Sequence, residues 1–208
     1  WETISSPEIF IATVAERTKH IKLGTGVISL PSHHPLMVAN RMVLLDHLTK
    51  GRIMMGVGPG ALATDAYMLG IDPSTQRNRM EESLGIILRL LTDPNPFNYQ
   101  SDWFNLKDAH LHLNPYTIPH FPIAVAASQS PSGVTLAGKH GLALLSLSII
   151  RGNGVTNKLR EFWQIAEKTA AENGKTMDRQ EWRIVLHVHL ADTRKDAIEQ
   201  VRLRAGAY

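Results

Sequence analysis

The chain has 208 residues, of which 43% are hydrophobic and 20% charged, and its formal net charge is +3. This balance is that of a soluble globular protein, and the scattered Lys and Arg residues form no nucleic-acid-binding stripe. Cysteine is absent, which excludes disulfides and thiolate chemistry. Because the chain has neither a signal peptide nor an apolar run of about 18 residues, we expect a soluble cytoplasmic protein without a membrane partner.

Helices and buried strands alternate along the chain. Ser6 and Pro7 are typical of a helix start and predict a first helix over residues 7–19. Runs that are apolar on both faces predict strands at residues 21–30, 52–57, 122–127, 142–149 and 183–191. Further helices are predicted at residues 35–49, 78–91, 132–140, 157–173 and 194–204. Since the chain opens on the helix of a βα repeat, we expect it to be part of a longer protein.

Strict alternation of strands and helices predicts a parallel sheet with right-handed crossovers. Five such strands are compatible with most of a (β/α)₈ barrel or with a doubly wound sheet, and periodicity leaves both open. Residues 97–116 interrupt this succession of buried strands and helices, because polar and apolar residues alternate along them. That pattern predicts a half-exposed β-hairpin inserted between a helix and the next strand.

His110 and His112 would lie on one face of the hairpin. Two histidines with this spacing can bind a metal ion, but no Cys, Asp or Glu at ligand spacing accompanies them. We therefore interpret them as solvated strand residues and predict no metal site.

Two segments that follow predicted strands are candidate ligand sites. Residues 127–133 (ASQSPSG) lie between a strand and a helix, where small hydroxyl residues either cap the helix or cradle a phosphate group. Both interpretations stay open. Residues 56–60 (GVGPG) permit a close approach of the backbone to a ligand. They are not a dinucleotide fingerprint, because Pro59 removes a donor, and a tight turn is the favoured interpretation.

Charged and titratable residues near these segments have two interpretations each. Arg77 and Arg79 stand near the start of a helix that carries Glu81 and Glu82, so they either hold an anion or pair with those glutamates. Pairing is favoured. The turn with His33 and His34 contains a candidate general base, although a cap or a packed turn residue is favoured.

The predicted helix over residues 35–49 is apolar nearly all round. A barrel helix needs only one buried stripe, so the surplus predicts a second packing surface, and we expect a homodimer through this helix.

Several short motifs together are characteristic of one family. They are GTGVISLP at 24–31, His34-Pro35, LDHL at 45–48, Gly51-Arg52, GVGPG at 56–60, Asp65, LGID at 69–72, LNP at 113–115, QSPSG at 129–133 and Gly141. In these residues the chain resembles the bacterial luciferase-like family of flavin-dependent monooxygenases over essentially its whole length. Residues 136–142 and 145–148 are similar to the limonene and alkane monooxygenase branch of that family.

The resemblance implies a luciferase-like (β/α)₈ TIM barrel. Residues 1–208 would form a partial barrel domain of about five strands, with the β-hairpin insertion at about residues 97–116. Residues 21–60 would contribute the third and fourth strands of the complete barrel.

The resemblance also implies FMN at the C-terminal mouth of the barrel. The residues expected to bind the phosphate are Gln129, Ser130, Ser132 and Gly133. A non-proline cis peptide bond is expected under the flavin ring at Gly26-Val27. Where luciferase has an arginine that helps to hold the phosphate, this chain has Pro59, and Arg77 or Arg79 would compensate.

The implied activity is oxygenation of a small hydrophobic organic substrate by reduced FMN and O₂. A separate flavin reductase would supply the reduced FMN, and no catalytic acid or base is assigned. Two alternatives share the fold: a truncated, non-catalytic flavin-binding protein, and an oxidoreductase that uses deazaflavin instead of FMN.

Overall fold

The computed structural model describes residues 5–127, 130–147, 158–185 and 188–204, with side chains up to residue 202. The helices are α1 Pro7–Arg17, α2 Pro35–Thr49, α3 Ala63–Met68, α4 Gln76–Thr92, α5 Pro131–His140, α6 Leu159–Glu172 and α7 Arg194–Arg204. The strands are β1 Leu23–Ser29, β2 Ile53–Gly58, β3 Phe97–Gln100, β4 Asn105–Ala109, β5 Ile123–Ala127, β6 Ala143–Leu147 and β7 Arg183–Val185. Short 3₁₀ turns occupy Leu30–Ser32, Pro73–Thr75 and Arg179–Glu181.

Five parallel strands form one sheet in the order β1-β2-β5-β6-β7. The order follows the chain and never reverses, so the sheet lacks the switch point of a doubly wound fold. The arrangement is therefore an arc of a (β/α)₈ barrel, and the predicted fold class is confirmed.

The two faces of the sheet have different residues. The face packed against the helices is fully buried and carries bulky side chains, namely Met55, Val57, Val125 and Leu144. The opposite face lines a groove of about 240 Å³, in which small residues such as Gly24, Gly26 and Ala124 alternate with larger ones such as Met54 and Leu145.

Arg52 fastens two helices at the N-terminal end of the sheet. Its guanidinium donates hydrogen bonds to the carbonyl oxygens of Ala15 and Thr49, at 3.0 and 2.9 Å. It also donates to the carbonyl of Ile21 and the hydroxyl of Thr18, both at 3.0 Å. Helix C-termini leave carbonyl groups without partners, and one cation satisfies carbonyls from the ends of both α1 and α2.

The last strand is shorter than predicted. The prediction of a strand over residues 183–191 is wrong at residues 188–191, where Val188 and Leu190 are largely exposed. Residues 148–149 of the predicted β6, residues 186–187 and residue 157 lie outside the described part of the chain.

The inserted segment contains an antiparallel hairpin of β3 and β4, in which Gln100 pairs with Asn105 and Phe97 with Ala109. The strand pairing ends at Ala109, whereas the alternating pattern predicts a hairpin to residue 116. Asp108 has a φ of 47° and lies within β4, where the register shifts between the Phe97–Ala109 and Tyr99–Leu106 pairs.

His110 and His112 follow the hairpin rather than lie in a strand, and their rings meet edge to face at 4.6 Å. No group of three potential metal ligands occurs among the described residues. None of the described helices has the length and hydropathy that a membrane crossing requires.

Candidate functional site

Three candidate segments meet at the C-terminal edge of the sheet. Gly26 and Val27 lie in β1, residues 56–60 continue β2, and residues 130–133 begin α5 directly after β5. Because β1, β2 and β5 are adjacent, their carboxyl ends lie side by side. Gln129, which was expected to bind phosphate, lies outside the described residues.

The Gly26-Val27 peptide bond is cis, as the family resemblance led us to expect. The β1–β2 register breaks at this point, because Thr25 pairs with Met55 and the next pair is Ile28 with Val57. The buried Thr25 hydroxyl bridges the break, since it accepts a hydrogen bond from the Gly56 N–H and donates one to the Gly56 carbonyl.

The glycines of β2 leave room for this irregular backbone. A Cβ at Gly56 would lie 2.3 Å from the Thr25 carbonyl oxygen, and one at Gly58 would lie 2.7 Å from Val27 Cγ2. Nothing lies within 4 Å of the corresponding point at Gly26, which therefore borders open space in the groove. Gly26 and Val27, with Gly56 and Gly58 beside them, thus form a flat apolar surface, called the platform below, on which a planar ring can lie.

Ser130 and Ser132 stand at the start of α5, where helix capping was one of two open interpretations. Ser130 is the N-cap residue, but its side chain makes no capping hydrogen bond. Its hydroxyl instead accepts a hydrogen bond from Arg77 Nη1 at 2.7 Å, and the Ser132 hydroxyl accepts from the same atom. The two hydroxyls are 3.0 Å apart. No side chain of the described residues therefore caps the first-turn N–H groups of α5.

Arg77 does not pair with the glutamates of its own helix, so that favoured interpretation is wrong. Glu81 forms an ion pair with Lys139 at 2.7 Å, on the neighbouring helix α5. Glu82 accepts three hydrogen bonds from the hairpin, with Tyr99, Ser101 and Trp103 as the donors. Helix α4 begins two residues earlier than predicted, at Gln76, which places Arg77 in its first turn.

The charge around Arg77 indicates an anion site. None of the ion pairs formed by the described residues includes Arg77. Its guanidinium instead faces the N-terminus of α5, which carries a partial positive charge of its own. No carboxylate of the described residues pairs with this guanidinium, so the two positive groups are suited to binding an anion such as a phosphate group.

Arg79 makes a different contact: its guanidinium carbon lies over the indole of Trp103, 5.2 Å from the ring centroid. Trp103 also donates its Nε1 proton to Glu82, at 2.7 Å. The hydrogen bond from Tyr99 to Glu82 raises the pKa of the Tyr99 phenol. These contacts fasten the hairpin to α4, one turn after Arg77.

The two histidines of the turn after β1 differ in their surroundings. Burial, and then the charge of Arg41, lower the pKa of His33, while Glu8 opposes that shift. The His34 ring meets Phe104 edge to face at 5.6 Å and its side chain makes no capping hydrogen bond. The exposed His34 ring thus contacts Phe104 and does not cap the helix, which agrees with the turn-residue interpretation.

Sequence reasoning did not identify Thr25. Thr25 has the appearance of an ordinary strand residue, and its partner Gly56 lies 31 positions away.

Comparison with known proteins identifies the family. The model of the luciferase-like monooxygenase family matches residues 1–207. The chain is 51% identical over 202 residues to 4-hydroxyprotoasukamycin monooxygenase of Streptomyces nodosus subsp. asukaensis, covering 97% of this chain and 54% of that protein. It is also 51% identical over 201 residues to limonene 1,2-monooxygenase of Rhodococcus erythropolis, covering 97% of this chain and 51% of that protein.

A solved structure agrees with these relatives. The oxygenating constituent of 3,6-diketocamphane monooxygenase from Pseudomonas putida, in complex with FMN, superposes with a TM-score of 0.83 and 28% identity. The match covers 98% of this chain and 58% of that one. The chain thus spans about half the length of the two relatives above. Since the family model matches nearly every residue and the fold agrees, the chain belongs to the luciferase-like monooxygenase family.

Proposed function

We propose that the protein is the oxygenase component of a two-component, FMN-dependent monooxygenase. Reduced FMN, delivered by a separate flavin reductase, and O₂ would oxygenate a small hydrophobic organic substrate. The observation that supports this proposal most strongly is the anion site at Arg77, Ser130 and Ser132, near the open platform at Gly26 and Val27.

The phosphate of FMN fits the anion site. Arg77 would bind the phosphate oxygens together with the Ser130 and Ser132 hydroxyls and the first-turn N–H groups of α5, including that of Gly133. Arg77 thus supplies the cation that is missing at Pro59. Gln129 stays a predicted phosphate ligand.

The flavin ring fits the platform. Gly26 has no atom within 4 Å of its Cβ position, so a planar ring can approach the backbone there. β1 and β5 are separated by β2, which puts the platform and the anion site roughly 10 Å apart at the usual strand spacing. A ribityl chain can span that distance between ring and phosphate.

The reduced flavin, when bound, supplies the chemistry of oxygen activation. The chain's own residues bind its phosphate, support its ring and keep water away. Water exclusion is supported by the groove lining, where Met54, Ala124 and Leu145 present apolar surface to the platform. The same surface supports a hydrophobic substrate, and both relatives at 51% identity are named as monooxygenases.

A homodimer through α2 is part of the proposal. Met37, Leu44 and Leu48 lie on one side of this helix and are 50%, 52% and 43% exposed. Exposed apolar side chains grouped on one side of a helix are typical of a subunit interface.

The test uses the full-length protein with a flavin reductase, NADH and O₂. We expect FMN to bind. The first substrate to test is limonene, which is named for the Rhodococcus relative, followed by other apolar alkenes and ketones. Product formation with oxygen from labelled O₂ supports the proposal.

Three other results would overturn it. Tight FMN binding without substrate-dependent O₂ consumption indicates the non-catalytic flavin-binding alternative. Reduction of a deazaflavin by an alcohol or sugar phosphate indicates the deazaflavin oxidoreductase. No binding of any flavin removes the flavin assignment altogether.

A further inference from the structure

Gln76 lies between the two loops that leave β1 and β2. It is the first residue of α4 and is half-buried. Its amide nitrogen lies 2.9 Å from the point that a Cβ at Gly60 would occupy, and Ser29 Oγ lies 3.6 Å from the same point. Gly60 has a φ of +85°, so this position both requires glycine for its backbone and leaves space for the amide.

The amide of Gln76 is available to a ligand. Within the described part of the chain, it forms no hydrogen bond, and it is not sealed from solvent. An amide has two donors and one acceptor with two lone pairs, so several hydrogen bonds remain unmade here.

The position of Gln76 relates it to the proposed flavin site. Its neighbour in sequence, Arg77, reaches Ser130 and Ser132 at the anion site. Ser29, near the Gln76 amide, ends the strand that contains Gly26 and Val27. Gln76 is therefore next in sequence to a residue of the anion site and close to the end of the strand that carries the platform.

We propose that Gln76 binds the hydroxyl groups of the polyol chain that joins the flavin ring to its phosphate. The inference rests on the proposed function, since it assumes a flavin on the platform. A neutral amide that can both donate and accept suits hydroxyl groups, which also do both. A phosphate, in contrast, offers acceptors only and already has Arg77 and the α5 N-terminus.

Three ligands separate the parts of the cofactor. Lumiflavin has the ring alone, riboflavin adds the polyol chain, and FMN adds the phosphate. Dissociation constants of each are measured by flavin fluorescence for the full-length protein and for Gln76→Leu. We expect the variant to bind riboflavin and FMN about tenfold more weakly, the effect of one or two lost hydrogen bonds, and lumiflavin unchanged.

Two further variants serve as controls. Arg77→Met should weaken FMN and leave riboflavin and lumiflavin unchanged, because it removes a phosphate contact only. Asn78→Leu, an equivalent change at an exposed position two residues along the helix, should leave all three constants unchanged. If Gln76→Leu does not fold, as judged by circular dichroism, Gln76→Ser replaces it with the same expectation.

Three outcomes overturn the inference: a Gln76 variant that weakens FMN alone, one that weakens all three ligands equally, and one that weakens none. The proposed function fails separately, when the unmodified protein binds none of the three flavins.

Discussion

The hydroxyl of Thr25 is hydrogen-bonded to both the N–H and the carbonyl of Gly56, at 3.0 Å in each case. One side chain thereby replaces the backbone pairing that β1 and β2 lose where their register breaks. The relationship explains how an irregular backbone at Gly26 and Val27 is kept inside an otherwise regular parallel sheet.

Replacing Thr25 by valine removes both hydrogen bonds and keeps the shape of the side chain. Since the Gly56 N–H and carbonyl are buried, we expect the free energy of unfolding to fall by about 2–4 kcal/mol. Urea denaturation of the full-length protein measures it. Thr25→Ser keeps the hydroxyl and should lose less than about 1 kcal/mol. Equal losses in the two variants would contradict this account.

Asp46 anchors the segment that follows the hairpin. It is fully buried on α2, and its carboxylate accepts hydrogen bonds from the Thr117 N–H and hydroxyl, at 2.7 and 2.9 Å. We expect Asp46→Ala to destabilise the fold by about 2–4 kcal/mol, because the Thr117 N–H loses its acceptor. Thr117→Val removes one of the two bonds and should cost about 1 kcal/mol. Urea denaturation measures the free energy of unfolding of both variants. If Thr117→Val lowers it as much as Asp46→Ala does, Asp46 does not have this anchoring role.

Glu82 controls the ionisation of Tyr99 as well as the position of the hairpin. Its hydrogen bond with the phenol, 3.0 Å long, raises the pKa of Tyr99 above the usual 10.0. Glu82→Gln removes the negative charge, so the Tyr99 pKa should return towards that value. Phenolate absorbance measures the change, with Tyr99→Phe identifying the signal. An unchanged titration in Glu82→Gln would show that another group causes the shift.

His140 makes stability depend on pH. Burial lowers its pKa below 6.5, Lys139 and Lys175 add to the shift, and Glu81 opposes it. The unfolded chain therefore takes up the proton first as the pH falls. The contribution to stability is complete above the unfolded pKa of about 6.5 and is lost as the pH falls from there towards the folded pKa.

His140→Gln should therefore reduce the drop in melting temperature between about pH 7.5 and pH 5. The lowered pKa of His33 acts in the same direction, so part of the drop will persist in the variant. Identical melting temperatures of both proteins at each pH would exclude His140 as a source.

Much of the fold is determined by local sequence. Apolar runs on both faces identify the buried strands, because a strand covered on both sides needs apolar residues throughout. Pro35 and Pro131 mark helix starts, and the αL residues Lys50 and Gly141 follow the ends of α2 and α5. Periodicity left the strand order open, because barrels and doubly wound sheets have the same alternation, and the family resemblance implied the barrel. The strand order β1-β2-β5-β6-β7, which never reverses, confirms it.

The candidate site was likewise predictable from the sequence only in part. The motifs around Gly26 and Ser130 were recognisable in the sequence, since close backbone approach and helix starts restrict residue choice locally. The partners of Arg77 were not, because Ser130 and Ser132 lie 53 and 55 positions away while Glu81 and Glu82 are close in sequence. Proximity along a helix favoured ion pairing. In the folded protein, Glu81 pairs with Lys139 and Glu82 accepts hydrogen bonds from the hairpin. Only the tertiary structure therefore brings Arg77 to the start of α5 and the Thr25 hydroxyl to Gly56.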